Sequence, residues 1–251
     1  MELKFINLRI FNGGFEDLIS IINKSLKNNA PSAVHFAAAH AFVESDKDIK
    51  LRRIFETDVV VCDSAPLARY LQLKDKTFKQ LRGTTFMRRA FQEVGIIHGR
   101  HILLGGNPKT NRTLVEKLKQ INSGANIVGS FAPSFTTDIN LLLSECETFI
   151  GDLNPDFIWV GLGAPKQFFI ASKLSTQYSC VTFSVGAAFD FISGNSSEAP
   201  MFMQKIYLEW FYRFLQEPIR LFKRYFMGNL IFMCMLARDT MSYLKQQKET
   251  R

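Results

Sequence analysis

The feature that most constrains the fold is an alternation, over the first 200 residues, between short apolar runs and segments with helical periodicity. The runs are four to six residues long and rich in β-branched and aromatic side chains, as is typical of strands buried on both faces of a sheet. Strands that alternate with helices form a parallel sheet. The predicted strands are residues 33–37, 58–62, 101–104, 125–128, 157–160 and 180–185.

Helix-start signals follow directly after several of these strands. Ser64 comes shortly after strand 58–62, while Asn107 and Pro108 come shortly after strand 101–104. Ser and Asn are favoured N-caps, and Pro is favoured in the first helical turn. The sequence therefore predicts a Rossmann-like domain over residues 1–194, an α/β fold with a parallel sheet and flanking helices.

The carboxyl-terminal part of the chain differs in composition from the rest. The whole chain carries a formal charge of +8, of which residues 201–251 contribute +5, from nine Lys or Arg against four Asp or Glu. Six of the eight Met residues also lie there, and Pro218 can begin a helix. Basic and apolar residues together are typical of membrane-surface segments, so residues 195–251 are predicted to form a basic amphipathic helical appendage that docks on an anionic membrane surface.

Other patterns exclude several classes of protein. The longest tail run without charge or proline, residues 225–237, is shorter than the roughly 20 apolar residues of a transmembrane helix. The amino terminus has no signal-peptide pattern, and the four cysteines are widely spaced, as in a reducing compartment. A cytoplasmic protein is expected.

P-loop, G-x-S-x-G and H-E-x-x-H motifs do not occur, so NTPase and hydrolase hypotheses have no support.

Ligands of open α/β sheets bind beyond the carboxyl ends of the strands, where this chain places several polar or glycine residues. Asp63 follows a buried strand and is either a capping residue, the commoner case, or a catalytic base; Ser64 can cap the helix and leave Asp63 for chemistry. Gly105 and Gly106 form either a tight turn or a close approach to a phosphate or sugar at a helix start.

A nicotinamide cofactor and a bound metal are not expected. Gly161 and Gly163 resemble the start of a dinucleotide fingerprint, but Lys166 occupies the third glycine position. Asp46-Lys47-Asp48 has the D-x-D spacing of metal-dependent glycosyltransferases, yet it lies in a charged helical stretch and is better explained as a solvated face. The histidines form no zinc pattern. Gln167, at another helix start, is a candidate hydrogen-bonding residue.

Seven short motifs occur in one order along the chain. They are Asp63 after its strand, Arg82-Gly83-Thr84, Leu104-Gly105-Gly106-Asn107-Pro108, Val160-Gly161-Leu162-Gly163-Ala164-Pro165-Lys166-Gln167, Val185-Gly186-Ala187-Ala188-Phe189-Asp190-Phe191 with Gly194, Ala199-Pro200, and Leu208-Glu209-Trp210-Phe211-Tyr212-Arg213 with Glu217-Pro218-Ile219-Arg220. In this order and spacing the chain resembles the WecG/TagA/CpsF family of bacterial glycosyltransferases (glycosyltransferase family 26), from about residue 33 to residue 229.

The resemblance implies an inverting, metal-independent transferase without a cofactor. It would move a sugar, often N-acetylmannosamine, from a UDP-sugar to a polyprenyl-diphosphate-linked sugar at the inner membrane face, in surface polysaccharide, teichoic acid or exopolysaccharide synthesis. Asp63 matches the family's proposed base. Matching positions of the substrate site are Arg82, Gly105, Gly106, Asn107, Gly163, Gln167, Gly186 and Asp190, while Arg213, Arg220 and Arg224 match basic tail positions that reach the diphosphate.

The chain departs from the family pattern at four positions. They are Ala37 for Asn, Ser64 for Gly, Phe168 for Glu and Glu198 for Arg. An altered donor or acceptor is the preferred explanation, and a non-catalytic nucleotide-sugar-binding homologue that acts as scaffold or regulator is the alternative. A nucleic-acid-binding role is disfavoured because the tail is too apolar for a phosphate-tracking surface. Homo-oligomerisation is expected without a defined stoichiometry.

Overall fold

The eight described strands form one sheet, parallel except for its first pair, in the order β1-β2-β4-β3-β8-β7-β5-β6. The computed structural model describes residues 2–93, 98–200, 203, 212 and 218–249, with the side chains of the last segment described over 228–245. The strands are β1 (Glu2–Phe5), β2 (Leu8–Phe11), β3 (Ser32–Ala37), β4 (Val59–Cys62), β5 (His101–Gly105), β6 (Ile127–Phe131), β7 (Phe157–Gly161) and β8 (Val181–Ser184).

Helices cover both faces of this sheet. They are α1 (Phe15–Lys27), α2 (Ala39–Lys47), α3 (Ile49–Thr57), α4 (Ala65–Lys74), α5 (Gly83–Gln92), α6 (Pro108–Ile121), α7 (Ile139–Ile150), α8 (Lys166–Tyr178), α9 (Ala188–Ser193) and, as numbered within the described residues, α10 (Pro218–Glu249). This three-layer arrangement confirms the predicted α/β class with a mostly parallel sheet.

The alternation of strand side chains divides the core into two sides. In β7, Phe157 and Trp159 pack with α1, α5, α6 and α9, whereas Ile158 and Val160 pack with α7 and α8 on the opposite face. The second face continues towards β1 as a cluster formed with α2, α3 and α4. The central strands are apolar on both faces because both faces are covered, which is why the sequence pattern showed them as continuous runs.

All six predicted strands occur, and two details of the strand prediction were wrong. β6 spans Ile127–Phe131 rather than residues 125–128, because residues 122–125 form a turn in which Asn122 Oδ1 accepts the Gly124 N–H at 2.8 Å. The strand instead continues through Gly129 and Ser130, which pair with β5. The hairpin of β1 and β2 was not predicted, and it adds an antiparallel edge to the sheet.

The terminal helix α10 begins at Pro218, as the sequence predicted, and part of it belongs to the core. Phe232 and Met235 are buried in the cluster beside β1 and α2, with the ring centroids of Phe232 and Phe5 6.1 Å apart. Asp239, one turn further along, is also buried and binds the turn between β1 and β2. This portion of the tail is therefore integrated into the fold of the first 200 residues.

Candidate active site

Four of the predicted site residues lie at or just beyond the carboxyl ends of the parallel strands. Asp63 follows β4, Gly186 lies two residues after β8, Gly163 lies two residues after β7, and Gly105 ends β5. Neighbouring strands are about 4.8 Å apart, so the order β4-β3-β8-β7-β5 separates the ends of β4 and β5 by about 19 Å. That distance suits an extended substrate lying along the edge of the sheet.

The connections after β5 and β7 leave the sheet in opposite directions. The chain passes from β5 through α6 to β6 on one side, and from β7 through α8 to β8 on the other. Such a reversal opens a crevice between the two strand ends, and ligands of α/β sheets bind at this position. The most favourable position for a ligand is therefore beyond the strand ends at Gly105 and Gly161.

The floor of this crevice is made of backbone. Gly105 has φ +136°, and a Cβ built there would lie 2.4 Å from the carbonyl oxygen of Gly161. The Gly106 N–H donates to the same oxygen at 3.3 Å. Asn107 caps α6 by accepting the Thr110 N–H at 2.9 Å, which confirms the predicted cap and engages its side-chain oxygen. Glycine is required at position 105 because a side chain would collide with the neighbouring strand.

Ser64, and not Asp63, is the residue that caps α4. The Ser64 hydroxyl accepts the Leu67 N–H at 3.4 Å and caps α4. The backbone of Asp63 is held on both sides, since its N–H donates to Ala37 O at 3.0 Å and its carbonyl accepts from Gln80 Nε2 at 3.3 Å. The partly buried Asp63 carboxylate therefore stands on a fixed backbone and is not needed as the cap.

Gln167 lies beside Gly186, so these two predicted residues come together. Gly186 has φ +57°, and a Cβ built there would lie 3.5 Å from Gln167 Oε1. Gln167 is buried, and within the described residues no hydrogen-bond donor reaches its Oε1. A buried acceptor without a donor is costly, and it marks this side chain as one that a ligand or ordered water would satisfy.

A buried polar chain beneath Gln167 was not predicted. The Ser184 hydroxyl donates to the Gln167 carbonyl at 3.2 Å, His35 Nδ1 lies 3.0 Å from the same hydroxyl, and His35 Nε2 lies 3.0 Å from Asp58 Oδ2. His35 and Ser184 are fully buried. These linked hydrogen bonds fix the start of α8 relative to β3 and β8. Only the pairing of β3 with β8 brings His35 to Ser184, and no local motif reveals that contact.

The other predicted residues lie in three different settings. Arg82 precedes α5 and forms an ion pair with Glu198. Asp190 accepts a hydrogen bond from Asn195 Nδ2 at 3.0 Å, and Gly163 has φ +77° with open space, among the described residues, where a side chain would begin. Arg213 lies outside the described residues. The last two, Arg220 and Arg224, lie on α10 in the part whose side chains are not described.

An exposed aromatic side chain next to the crevice was also missed. Phe135 is fully exposed in the segment after β6, and Lys166, which begins α8 after β7, places its Nζ 5.2 Å from the ring centroid. Lys166 Nζ also donates to Thr136 O at 2.7 Å. Because β6 and β7 are the two neighbours of β5 in the sheet, this contact joins the segments that follow them. An aromatic residue in a polar loop was the available sequence signal.

The comparison with known families decides the family of the chain. Residues 3–246 match the model of the Glycosyl transferase WecG/TagA/CpsF family. The chain belongs to this family. The matched range covers both the sheet and α10, and it confirms the resemblance that the motifs had indicated.

Two curated relatives have the same name, that of an N-acetylmannosaminyltransferase. The N-acetylglucosaminyldiphosphoundecaprenol N-acetyl-beta-D-mannosaminyltransferase of Bacillus subtilis (strain 168) is 29% identical over 153 residues, which are 61% of this chain and 54% of the relative. The enzyme of the same name from Bacillus spizizenii (strain ATCC 23059 / NRRL B-14472 / W23) is 33% identical over 107 residues, 42% of this chain and 40% of the relative. The matched segment thus spans about half of each relative or less.

The described residues bear on metal binding and on membrane spanning. No group of three or more His, Cys, Asp or Glu side chains in this part of the chain could hold a metal ion. The metal-free mechanism stays a prediction. Of the helices that the structure describes, none combines the length and the apolar character needed to span a bilayer.

Proposed function

We propose that this chain is an inverting glycosyltransferase that moves a hexose, N-acetylmannosamine or a related sugar, from a UDP-sugar to a polyprenyl-diphosphate-linked acceptor. One observation carries the proposal: the glycine backbone at the β5–β7 reversal, where ligands of α/β sheets bind, lies on the same sheet edge as Asp63. The two relatives named above act on a diphosphoundecaprenol-linked sugar according to their names, which supports the class of acceptor.

We assign different parts of the substrates to different strand ends. The glycines of β5 and β7 suit the nucleotide because a backbone without side chains lets phosphates and ribose approach closely. Gln167 and Gly186 lie two strands from Asp63, about 10 Å away by strand spacing, and suit the transferred sugar. Asp63 would accept the proton of the acceptor hydroxyl as that oxygen attacks the anomeric carbon and UDP leaves.

The first experiment replaces the proposed base. Asp63→Asn keeps the shape of the side chain but removes its capacity to accept a proton, so transfer should fall by about 100-fold or more while UDP binding is retained. The assay measures UDP release with a lipid-linked acceptor, and Asp152→Asn, an exposed position elsewhere, is the control. Transfer at the wild-type rate by Asp63→Asn would contradict the assignment.

The same assay separates the alternative hypothesis. A scaffold or regulator that retained the nucleotide pocket would bind UDP and transfer no sugar in the wild-type protein. Buried Ala37, beside Asp63, makes this comparison necessary because it contributes no polar group where the family pattern has Asn. A screen of UDP-sugars for protection against thermal unfolding would identify the donor that the wild-type chain prefers.

Membrane docking of the acceptor-binding side is part of the proposal. The face of α10 opposite the buried Phe232 and Met235 carries an exposed apolar stripe, a term used here for Leu230, Met233, Cys234, Ala237, Met241 and Leu244. Met233 and Met241 are 62% and 67% exposed. An apolar stripe on a basic segment is the arrangement of peripheral helices that lie in a membrane interface.

A charge placed in this stripe tests docking. Met241→Glu should abolish sedimentation with vesicles that contain anionic lipid, because a carboxylate resists transfer into the interface. Leu73→Glu is the matched control, since Leu73 is 78% exposed on α4 and does not belong to the stripe. If both variants sedimented like the wild type, the stripe would not be the docking surface.

A further inference from the structure

The loop after α9 carries a carboxylate that is held in a fixed place. Ser196 N–H donates to Asp190 O at 3.1 Å, and Asn195 Nδ2 donates to Asp190 Oδ1 at 3.0 Å, so the loop is fastened to α9 at its beginning. Ala199 is buried at its other end. Glu198 lies between these two anchored points. Its position is therefore set by the loop backbone.

Glu198 bridges two arginines. Its Oε2 lies 3.6 Å from an Nη atom of Arg82, and its Oε1 lies 2.5 Å from an Nη atom of Arg88. The Glu198 side chain is 20% exposed, and the two arginines are 17% and 39% exposed. Two guanidinium groups sharing one carboxylate leave a net charge of +1. A pair of arginines around two oxygens is also how proteins hold a phosphate group.

The arginine pair stands beside the proposed sugar site. Leu81 N–H donates to Cys62 O at 3.3 Å, which places Arg82 next to the end of β4 and to Asp63. A Cβ built at Gly83 would lie 3.2 Å from Val185 O, so the start of α5 also touches the segment after β8. Arg82 therefore lies near the sheet edge between the Asp63 and Gly186 positions.

We propose that Glu198 is an internal counter-ion that occupies an anion-binding arginine pair, Arg82 and Arg88, and is displaced when a substrate phosphate binds there. The proposal deepens the glycosyltransferase function, on which it depends for the identity of the anion as a nucleotide or lipid diphosphate. A phosphate that binds the two arginines must first displace the Glu198 carboxylate from them. Glu198 thereby lowers the affinity of the arginine pair for a diphosphate.

Two ligands that carry phosphate, one ligand that lacks it and one control variant test the proposal. Inorganic pyrophosphate and UDP are titrated calorimetrically into the full chain at low ionic strength, with uridine as the ligand that lacks phosphate. Glu198→Gln removes the competing charge and keeps the side-chain size, so it should bind pyrophosphate and UDP about fivefold more tightly or better, with uridine binding unchanged. Glu16→Gln is the control variant. It breaks the 2.9 Å pair between Glu16 of α1 and Arg89, which follows Arg88 on α5, and it should change the affinity for neither pyrophosphate nor UDP.

A second variant and a separate assay distinguish the outcomes. Arg88→Gln should weaken pyrophosphate binding, whereas an effect of Glu198→Gln through misfolding would appear as a lowered melting temperature. Equal or weaker pyrophosphate binding by a folded Glu198→Gln protein would overturn the proposal, because it would make Glu198 a support of the arginines. Absence of transfer by the wild type, together with tighter binding by Glu198→Gln, would refute the transferase function and leave the counter-ion role standing.

Discussion

Removal of the Asp239 carboxylate should cause a large loss of stability that can be worked out from its contacts. Asp239 Oδ1 accepts the Ile6 N–H at 2.8 Å, and Oδ2 accepts the Tyr70 hydroxyl at 2.7 Å and forms an ion pair with Lys74 Nζ. Asp239 and Lys74 side chains are 9% and 8% exposed. A single carboxylate thus fastens α10 to both the first hairpin and α4.

The expected cost of Asp239→Ala follows from what remains after truncation. The buried Ile6 N–H loses its acceptor, which costs about 1–3 kcal/mol. Lys74 Nζ retains its hydrogen bond to the Lys4 carbonyl at 3.1 Å, and the Tyr70 hydroxyl retains its hydrogen bond with the Thr240 hydroxyl at 3.0 Å. Neither group therefore loses all of its hydrogen-bond partners. Breaking a buried ion pair costs about 3–5 kcal/mol, and these alternative partners place the total near the lower limit, about 3 kcal/mol.

Chemical and thermal unfolding measure this loss against a control on the same helix. A cost of about 3 kcal/mol lowers the melting temperature of a chain of this size by about 6–12 °C. Arg238→Ala breaks a 2.8 Å pair with Asp46 in which Arg238 is 55% exposed, and should cost less than about 1 kcal/mol. Joint replacement of Asp239 by Leu and Lys74 by Met should recover part of the loss because no buried charge is left unpaired. Equal costs for Asp239→Ala and Arg238→Ala would refute the reasoning.

Two further predictions concern exposed side chains. Phe135→Ala should weaken UDP binding about tenfold, because base–aromatic stacking contributes roughly 1–3 kcal/mol per base, without changing the unfolding free energy of the protein; unchanged UDP affinity would exclude Phe135 from the nucleotide site. Burial raises the pKa of the Cys62, Cys146 and Cys180 thiols to about 12 from 9.0, so these groups stay protonated at pH 8, and a thiol reagent should label only Cys234 in the native chain and all four cysteines after denaturation. Rapid native labelling of more than one thiol would contradict the buried placement.

The parts of the fold that follow from local pattern were predictable, and those that depend on distant contacts were not. The central strands are apolar on both faces, so they are recognisable in the sequence as continuous apolar runs. The β1–β2 turn lacks a glycine, and Ile6 takes φ +48°, which a β-branched residue rarely adopts. Asp239 and Arg52 hold it there, through the Ile6 N–H and the Ile6 carbonyl. A contact across 233 residues cannot be read from the turn itself.

The candidate site shows the same division. The positions of Asp63, Gly105 and Gly186 at the sheet edge were predictable because these residues lie at or just beyond strand ends, and the carboxyl ends of parallel strands meet at one edge. The bridge from Lys166 to Phe135 and the pairing of Glu198 with Arg82 join segments that are far apart in sequence. Glu198 stood out as a departure from the family pattern, but its charge partner became identifiable only when α5 and the loop after α9 were brought together.

The two sides of α10 would connect the proposed membrane docking with the proposed active site. The Asp239 contacts fix one side of the helix to the sheet domain, and the apolar stripe lies on the opposite side. Arg224 and Arg220 precede Asp239 by 15 and 19 residues on the same helix, about 22 and 28 Å along its axis. A helix fastened at Asp239 would present these arginines at a fixed height above the membrane. Asp239→Ala should therefore reduce transfer to a lipid-linked acceptor more strongly than it reduces vesicle binding, since the stripe survives and the alignment does not.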